Sequence, residues 1–286
     1  MFQISVVNRT TCIADREMHR VVRAINRQIA EDFEPYWAFG GRLRVEGPAG
    51  PKADLQQLKE MRGDAIIYVL DSAASDDALG FHDLNPSGVP YGFVFLDLCK
   101  MLGDDWSTTL SHEALELIGD PQCNLLVQGP NPEASDRIVY HFFEMCDAVQ
   151  CQNYEIDGVS VSNFVLPHYF TEGEEVGARN DFCGTALRSF CVNPGGYIGY
   201  FDPVKGENSQ FFAKDAYAQR RFDLKMEARR GRTFLRNEQL SAAAKNRSAR
   251  CRADAGEPFV RSHAWRLESV RYEHRWYRSA APGHQF

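Results

Sequence analysis

The chain has 286 residues, of which 44% are hydrophobic and 25% charged, close to the globular average. This composition excludes a mainly disordered chain, a collagen-like repeat and a bundle of membrane helices, and no apolar run approaches the ~20 residues that span a bilayer. The net charge of −7 conceals a split: residues 214–286 carry 17 Lys and Arg against 8 Asp and Glu, whereas residues 1–213 carry 15 against 31. The acidic part is not expected to bind nucleic acid. The basic part suits an acidic partner, a nucleic acid, or the acidic body of its own chain. The length gives about two domains at ~150 residues each. The opening MFQISVVNRT has no basic stretch followed by an apolar one, which predicts a cytoplasmic protein. Eight cysteines stand at 12, 99, 123, 146, 151, 183, 191 and 251 with no CxxC pair, so reduced thiols, mostly small buried hydrophobes, are expected.

In chain order, residues 2–7 (FQISVV) form a β-type run. Asp15 suits a helix start. Met18, Val21, Val22, Ile25, Ile29 and Phe33 follow at three- and four-residue spacing, one apolar face of a helix. Gly40-Gly41 breaks that pattern, and residues 43–46 read as a strand. Gly47-Pro48 and Gly50-Pro51 mark a turn-rich link, after which Leu55, Leu58 and Met61 predict a short helix. Residues 65–70 (AIIYVL) read as a buried strand, residues 71–90 as loop, and residues 91–96 (YGFVFL) as another strand. A helix begins near Ser107 and stops at Gly119, with Pro121 just beyond. Residues 122–183 look irregular, with short strands such as 138–143. Pro194-Gly195-Gly196-Tyr197 is a turn between aromatic β-formers. The basic region opens with a predicted helix (AKDAYAQRRFDLKMEARR) interrupted by Gly231. The order indicates an α+β fold around a small mixed sheet. It divides into 1–183, a β-rich extension 184–213, and a basic, partly helical region 214–286.

Chemistry concentrates in DWSTTLSHEALELIGDP, residues 105–121. His112 and Glu116 are four apart on a helix and project from one face on successive turns. An imidazole nitrogen and a carboxylate oxygen so placed grip one metal ion. Glu113 points about 100° around the helix, where it faces a water without being a ligand. This is the logic of HExxH with a carboxylate in place of the second histidine. A solvated helix can carry the same residues. Here, however, Leu110, Leu115, Leu117 and Ile118 fill most of the circumference, and burying His112, Glu113 and Glu116 together is costly unless they pair or bind metal. His82 and Asp83, in the predicted loop, read as loop polar groups or cleft-wall contacts. Asn8-Arg9-Thr10 matches a glycosylation sequon without further support.

With these residues in place, the sequence resembles the zincin metallopeptidases. HEALELIGDP followed by FFEMCDAVQ and YEIDGVSVSNFVLPHYF is similar to uncharacterised zincin-like proteins of phage and bacteria, over about residues 1–200. The resemblance implies a zincin-like domain with an active-site helix. It also implies Zn²⁺, or another divalent cation, on His112 and Glu116, and Glu113 as general base. The metzincin third ligand would fall on Gln122, a poor zinc ligand. A replacement is sought downstream: Glu144 is preferred over Asp147, with Asp120, His141 and His168 behind them. Met145 corresponds either to the methionine turn of metzincins or to plain core packing. Tyr154, Tyr169 and His168 are candidate oxyanion donors. The strand at 91–96 is the expected edge for an extended peptide. One histidine with carboxylates is a harder donor set than three histidines and raises the pKa of an activated water above ~7, so slow or specialised hydrolysis, or none, is expected. The functional expectation is a metal-dependent peptidase acting on a peptide or protein. Its alternatives are a non-catalytic assembly protein, virion-associated if phage-encoded, and nucleic-acid binding through the basic region.

Overall fold

The structure is a computed structural model that describes residues 1–47, 63–72, 80–84, 88–171, 173, 178–216 and 219. All of them fall within one compact unit, Met1–Leu235. The helices expected at 55–61 and after 214 lie outside the described residues, as does most of the basic region. Among the described residues, no helix is long and apolar enough to cross a membrane.

The core is a five-stranded mixed sheet in the order β2-β1-β3-β5-β4. Its strands are β1 (Phe2–Asn8), β2 (Gly41–Val45), β3 (Ala65–Leu70), β4 (Gly80–Leu84) and β5 (Pro90–Phe95). β1, β2, β3 and β5 run parallel, and β4 pairs antiparallel to β5. In β3 the side chains alternate: Ala65, Ile67 and Val69 are fully buried, and Ile66, Tyr68 and Leu70 are half-buried, the two-residue period of a pleated strand. Parallel neighbours need a crossover. α1 (Asp15–Arg27) supplies the one from β1 to β2 and continues through a π-helical stretch, Gln28–Phe33, into α2 (Glu34–Trp37). The expected stripe is buried from Met18 through Phe33. The N-cap of α1 is Ala14, which makes no side-chain cap, so Asp15 acts as an acidic residue of the first turn beside the positive helix end.

Two expectations need correction. Residues 71–90 are not all loop, because β4 lies within them. Gly, His and Asp give β4 little intrinsic strand preference, and its ladder with β5 supplies what propensity does not. The strand at 91–96 is consequently interior, paired on both sides, and the sheet edge beside it is β4.

α3 (Leu96–Leu102) follows β5 directly and ends at left-handed Gly103. It leads into α4 (Trp106–Gly119), which packs on β3, β4 and β5 on one side and on β9 on the other. Within it, Ser107–Ser111 and Glu113–Ile118 are all buried. Gly119 is no left-handed cap. A methyl there would stand 2.4 Å from Met145 Cε, so the flexible end of Met145 packs directly on Gly119.

Downstream, β6 (Leu126–Asn131), β7 (Ala134–Phe142), β10 (Tyr197–Asp202) and β11 (Glu207–Phe212) make an antiparallel sheet in the order β11-β10-β7-β6. β8 (Asn153–Ile156) and β9 (Val159–Ser162) form a separate hairpin. The 184–213 stretch thus contributes two strands, with Tyr200 and Phe201 of β10 pairing His141 and Tyr140 of β7. A buried polar network ties the layers together. Ser111 Oγ donates to Gln28 Oε1 at 2.6 Å, Gln28 Nε2 donates to Ser162 O at 2.8 Å, and Ser162 N donates to Ser111 Oγ at 3.0 Å.

Candidate metal centre

Three chain segments meet at one end of α4. The helix supplies His112, Glu113 and Glu116. The segment after β7 supplies Glu144, Cys146 and Asp147, the last opening a 3-10 turn, Asp147–Val149. β4 supplies His82. The segment after β7 is fastened to the helix twice: Met145 packs on Gly119, and the Cys146 amide donates to Glu116 Oε1 at 3.2 Å. On its other side Gly196 comes so close that a methyl there would stand 2.3 Å from Ala148 O.

His112 Nε2 stands 3.2 Å from Glu116 Oε1 and 3.3 Å from Asp147 Oδ1. His82 Nδ1 stands 3.3 Å from Glu113 Oε2 and 3.6 Å from Glu116 Oε2, while its Nε2 lies 3.6 Å from Glu144 Oε2. Ligands of a tetrahedral zinc at bond lengths of about 2.0–2.1 Å are separated by roughly 3.3–3.4 Å. The distances from each imidazole nitrogen to its nearest carboxylate oxygens are of that order. Donor atoms of His112, Glu116 and Cys146 all lie within 4.8 Å of one another, and so do those of His82, Glu113 and Glu116. Buried His, Glu and Cys groupings able to hold a metal ion are thus present.

The electrostatics agree with that donor set. Burial works against a charged imidazole at His112, but Glu116, Asp147 and Glu113 outweigh it and hold its pKa well above the histidine norm. At His82 burial is outweighed in the same way by Glu144, Cys123, Glu113 and Glu116. Burial and then Glu116 push Glu144, Asp147 and the Cys146 thiol upward. Every shift runs toward proton uptake, driven first by burial at the two carboxyls and the thiol, and at the imidazoles by neighbours that outweigh burial. Glu144 Oε2 is shut from solvent and makes no hydrogen bond, an acceptor that a cation or a cationic neighbour satisfies.

The remaining candidates are engaged elsewhere. Asp120 Oδ2 accepts from Leu125 N at 2.7 Å, and His168 Nδ1 is 2.9 Å from Asn180 Oδ1. His141 Nε2 donates to Pro130 O at 2.9 Å. Tyr154 donates to Asp32 at 2.8 Å and Tyr169 to Cys191 O at 2.9 Å. Asn8 is buried and bonded to Ile13 O, which removes the sequon from the surface. Sequence reasoning missed Tyr197, which lines the cleft beside Asp147, and it gave His82 no ligand role. A small cleft lined by Glu144, Asp147, Tyr169, Phe170 and Tyr197 opens onto this cluster. No protein-family profile, curated protein or solved structure matches the chain.

Proposed function

We propose that this protein is a zincin-like, metal-dependent peptidase with Glu113 as general base. The observation that carries the reading is that His112, Glu116 and Cys146 offer donor atoms within 4.8 Å of one another, with Asp147 3.3 Å from His112 Nε2 and buried Glu113 on the same helix. A helix–sheet arrangement with a mixed five-stranded sheet and an antiparallel edge strand next to the site is in keeping with it. The mixture of imidazole, carboxylate and thiol donors suits zinc better than a hard cation.

An ion held by His112, Glu116 and their neighbours would supply Lewis-acid polarisation of a scissile carbonyl and of a water. The chain's own residues do the rest. Glu113 accepts the water's proton and returns it to the leaving amine. Tyr197 and Asp147 line the same cleft beside the helix. β4, as the sheet edge, presents its backbone to an extended peptide, so main-chain pairing sets the substrate's direction.

The test compares wild type with Glu113→Gln, each stripped by chelator and reloaded with Zn²⁺, on a mixed peptide library. Wild type is expected to cleave only when reloaded. The variant is expected to keep at least one bound ion while kcat falls roughly 10²–10⁴-fold. Undiminished cleavage by Glu113→Gln overturns the assignment. Metal binding with no cleavage of any peptide points instead to a non-catalytic role.

A further inference from the structure

We infer that this cluster holds two divalent cations, the second on His82, Glu113 and Glu116, with Glu116 bridging it to the ion on His112. Three independent features of the geometry point there.

The first is how Glu116 divides its oxygens. Oε1 faces His112 Nε2 at 3.2 Å and Oε2 faces His82 Nδ1 at 3.6 Å. The two metal-competent groupings share Glu116 and nothing else, and no grouping among the described residues contains both imidazoles. One carboxylate spanning two nitrogen donors through different oxygens is the arrangement of a bridging ligand. It suits ions held about 3.5–4 Å apart, the usual separation in two-metal sites.

The second is the orientation of His82. Its side chain is 7% exposed, and Nδ1 turns toward Glu113 and Glu116 while Nε2 turns toward Glu144. A histidine that ligates through one nitrogen characteristically donates the other N–H to a carboxylate, which fixes its tautomer and ring plane. Glu144 Oε2, buried and without a hydrogen bond, stands 3.6 Å from that nitrogen. Glu144 thus faces His82 at ion-pair distance without a hydrogen bond, and it belongs to neither metal-competent grouping, unlike the ligand role expected for it from the sequence.

The third is charge. Glu113, Glu116, Glu144 and Asp147 bring four carboxylates into one enclosed volume, and their ion-pair partners among the described residues are the two imidazoles alone. With all four carboxyls ionised and both imidazoles neutral and ligating, one divalent cation would leave two negative charges uncompensated. A second one balances them, and uncompensated buried charge is among the most unfavourable states a protein interior can hold.

The inference deepens the peptidase reading at one point, because a filled second position makes Glu113 a ligand instead of a free base. That consequence rests on the general-base assignment; the site itself does not. The experiment titrates chelator-stripped full-length protein with Zn²⁺ and counts bound ions by native mass spectrometry and elemental analysis. Wild type is expected to take up two equivalents, and His82→Ala and Glu113→Gln one each at the same free Zn²⁺. Should His82→Ala fail to fold, Glu113→Gln, altered in the helix and not in the edge strand, carries the comparison. Saturation of wild type at one equivalent overturns the inference, as does a folded His82→Ala that retains two or loses both. Two ions with no peptide cleavage leave it standing while the peptidase reading fails; cleavage with a single ion does the reverse.

Discussion

Ser111 precedes His112 in the chain but points about 100° around α4, toward Gln28 and Ser162, so its removal separates what holds the helix from what the helix carries. Ser111→Ala deletes a fully buried hydroxyl that donates to Gln28 Oε1 and accepts from Ser162 N. Both partners are themselves fully buried, and neither can turn to solvent. Stranding a buried polar group costs about 1–3 kcal/mol, so the pair gives about 2–6 kcal/mol, a large share of the ~5–15 kcal/mol that holds a typical domain. The assay is urea unfolding of chelator-treated protein, comparing midpoints at unchanged m. Thr108→Ala is the control: Thr108 bonds a part-buried Ser160 hydroxyl that water can reach once the partner is gone, and the expected loss is about 1 kcal/mol. Zn²⁺ uptake by folded Ser111→Ala should match wild type. A loss no greater than that of the control would refute the claim that this network, and not packing alone, seats the helix.

Gly196→Ala places a methyl 2.3 Å from Ala148 O, a backbone atom with no rotamer to yield, beside the turn that carries Asp147. The expected outcome is a lower melting temperature, from about 1–3 kcal/mol of overpacking, together with Zn²⁺ affinity weakened roughly 10–100-fold. Unchanged affinity would detach that turn from the metal site. His141 is held below the histidine norm by burial, against the opposing pull of its bond to Pro130 O. Its folded pKa is depressed, so the unfolded chain binds the proton first on acidification. Its contribution is complete above about pH 6.5 and is lost as pH falls below that value. In denaturant titrations the stability difference between wild type and His141→Gln should therefore shrink from pH 7.5 to about 5.5; a difference independent of pH removes His141 as its source.

Much of the fold was legible where one side of an element is uniformly apolar. The stripe from Met18 to Phe33 and the strand AIIYVL announced themselves by period. The metal-facing helix was legible for the opposite reason: His112, Glu113 and Glu116 interrupt an otherwise greasy circumference, and such residues are retained inside only with partners. His82 was not. Its strand is five residues long, its neighbours include glycine and aspartate, and its pairing comes from β5 across a ladder that no local window contains. The division of labour between Glu144 and Asp147 was also out of reach. Three residues apart on an irregular segment, they turn to different histidines, and only the packing of Met145 under Gly119 sets which faces which.

The hydrogen bond from the Cys146 amide to Glu116 has a consequence for genetics. A ligand steadied by main-chain N–H survives any replacement of the residue that owns the amide, proline excepted. Exchanging Cys146 for serine or alanine would erase the sulfur yet spare the clamp. A scan of single substitutions would then score this position by its thiol alone and overlook the part of it that braces the carboxylate.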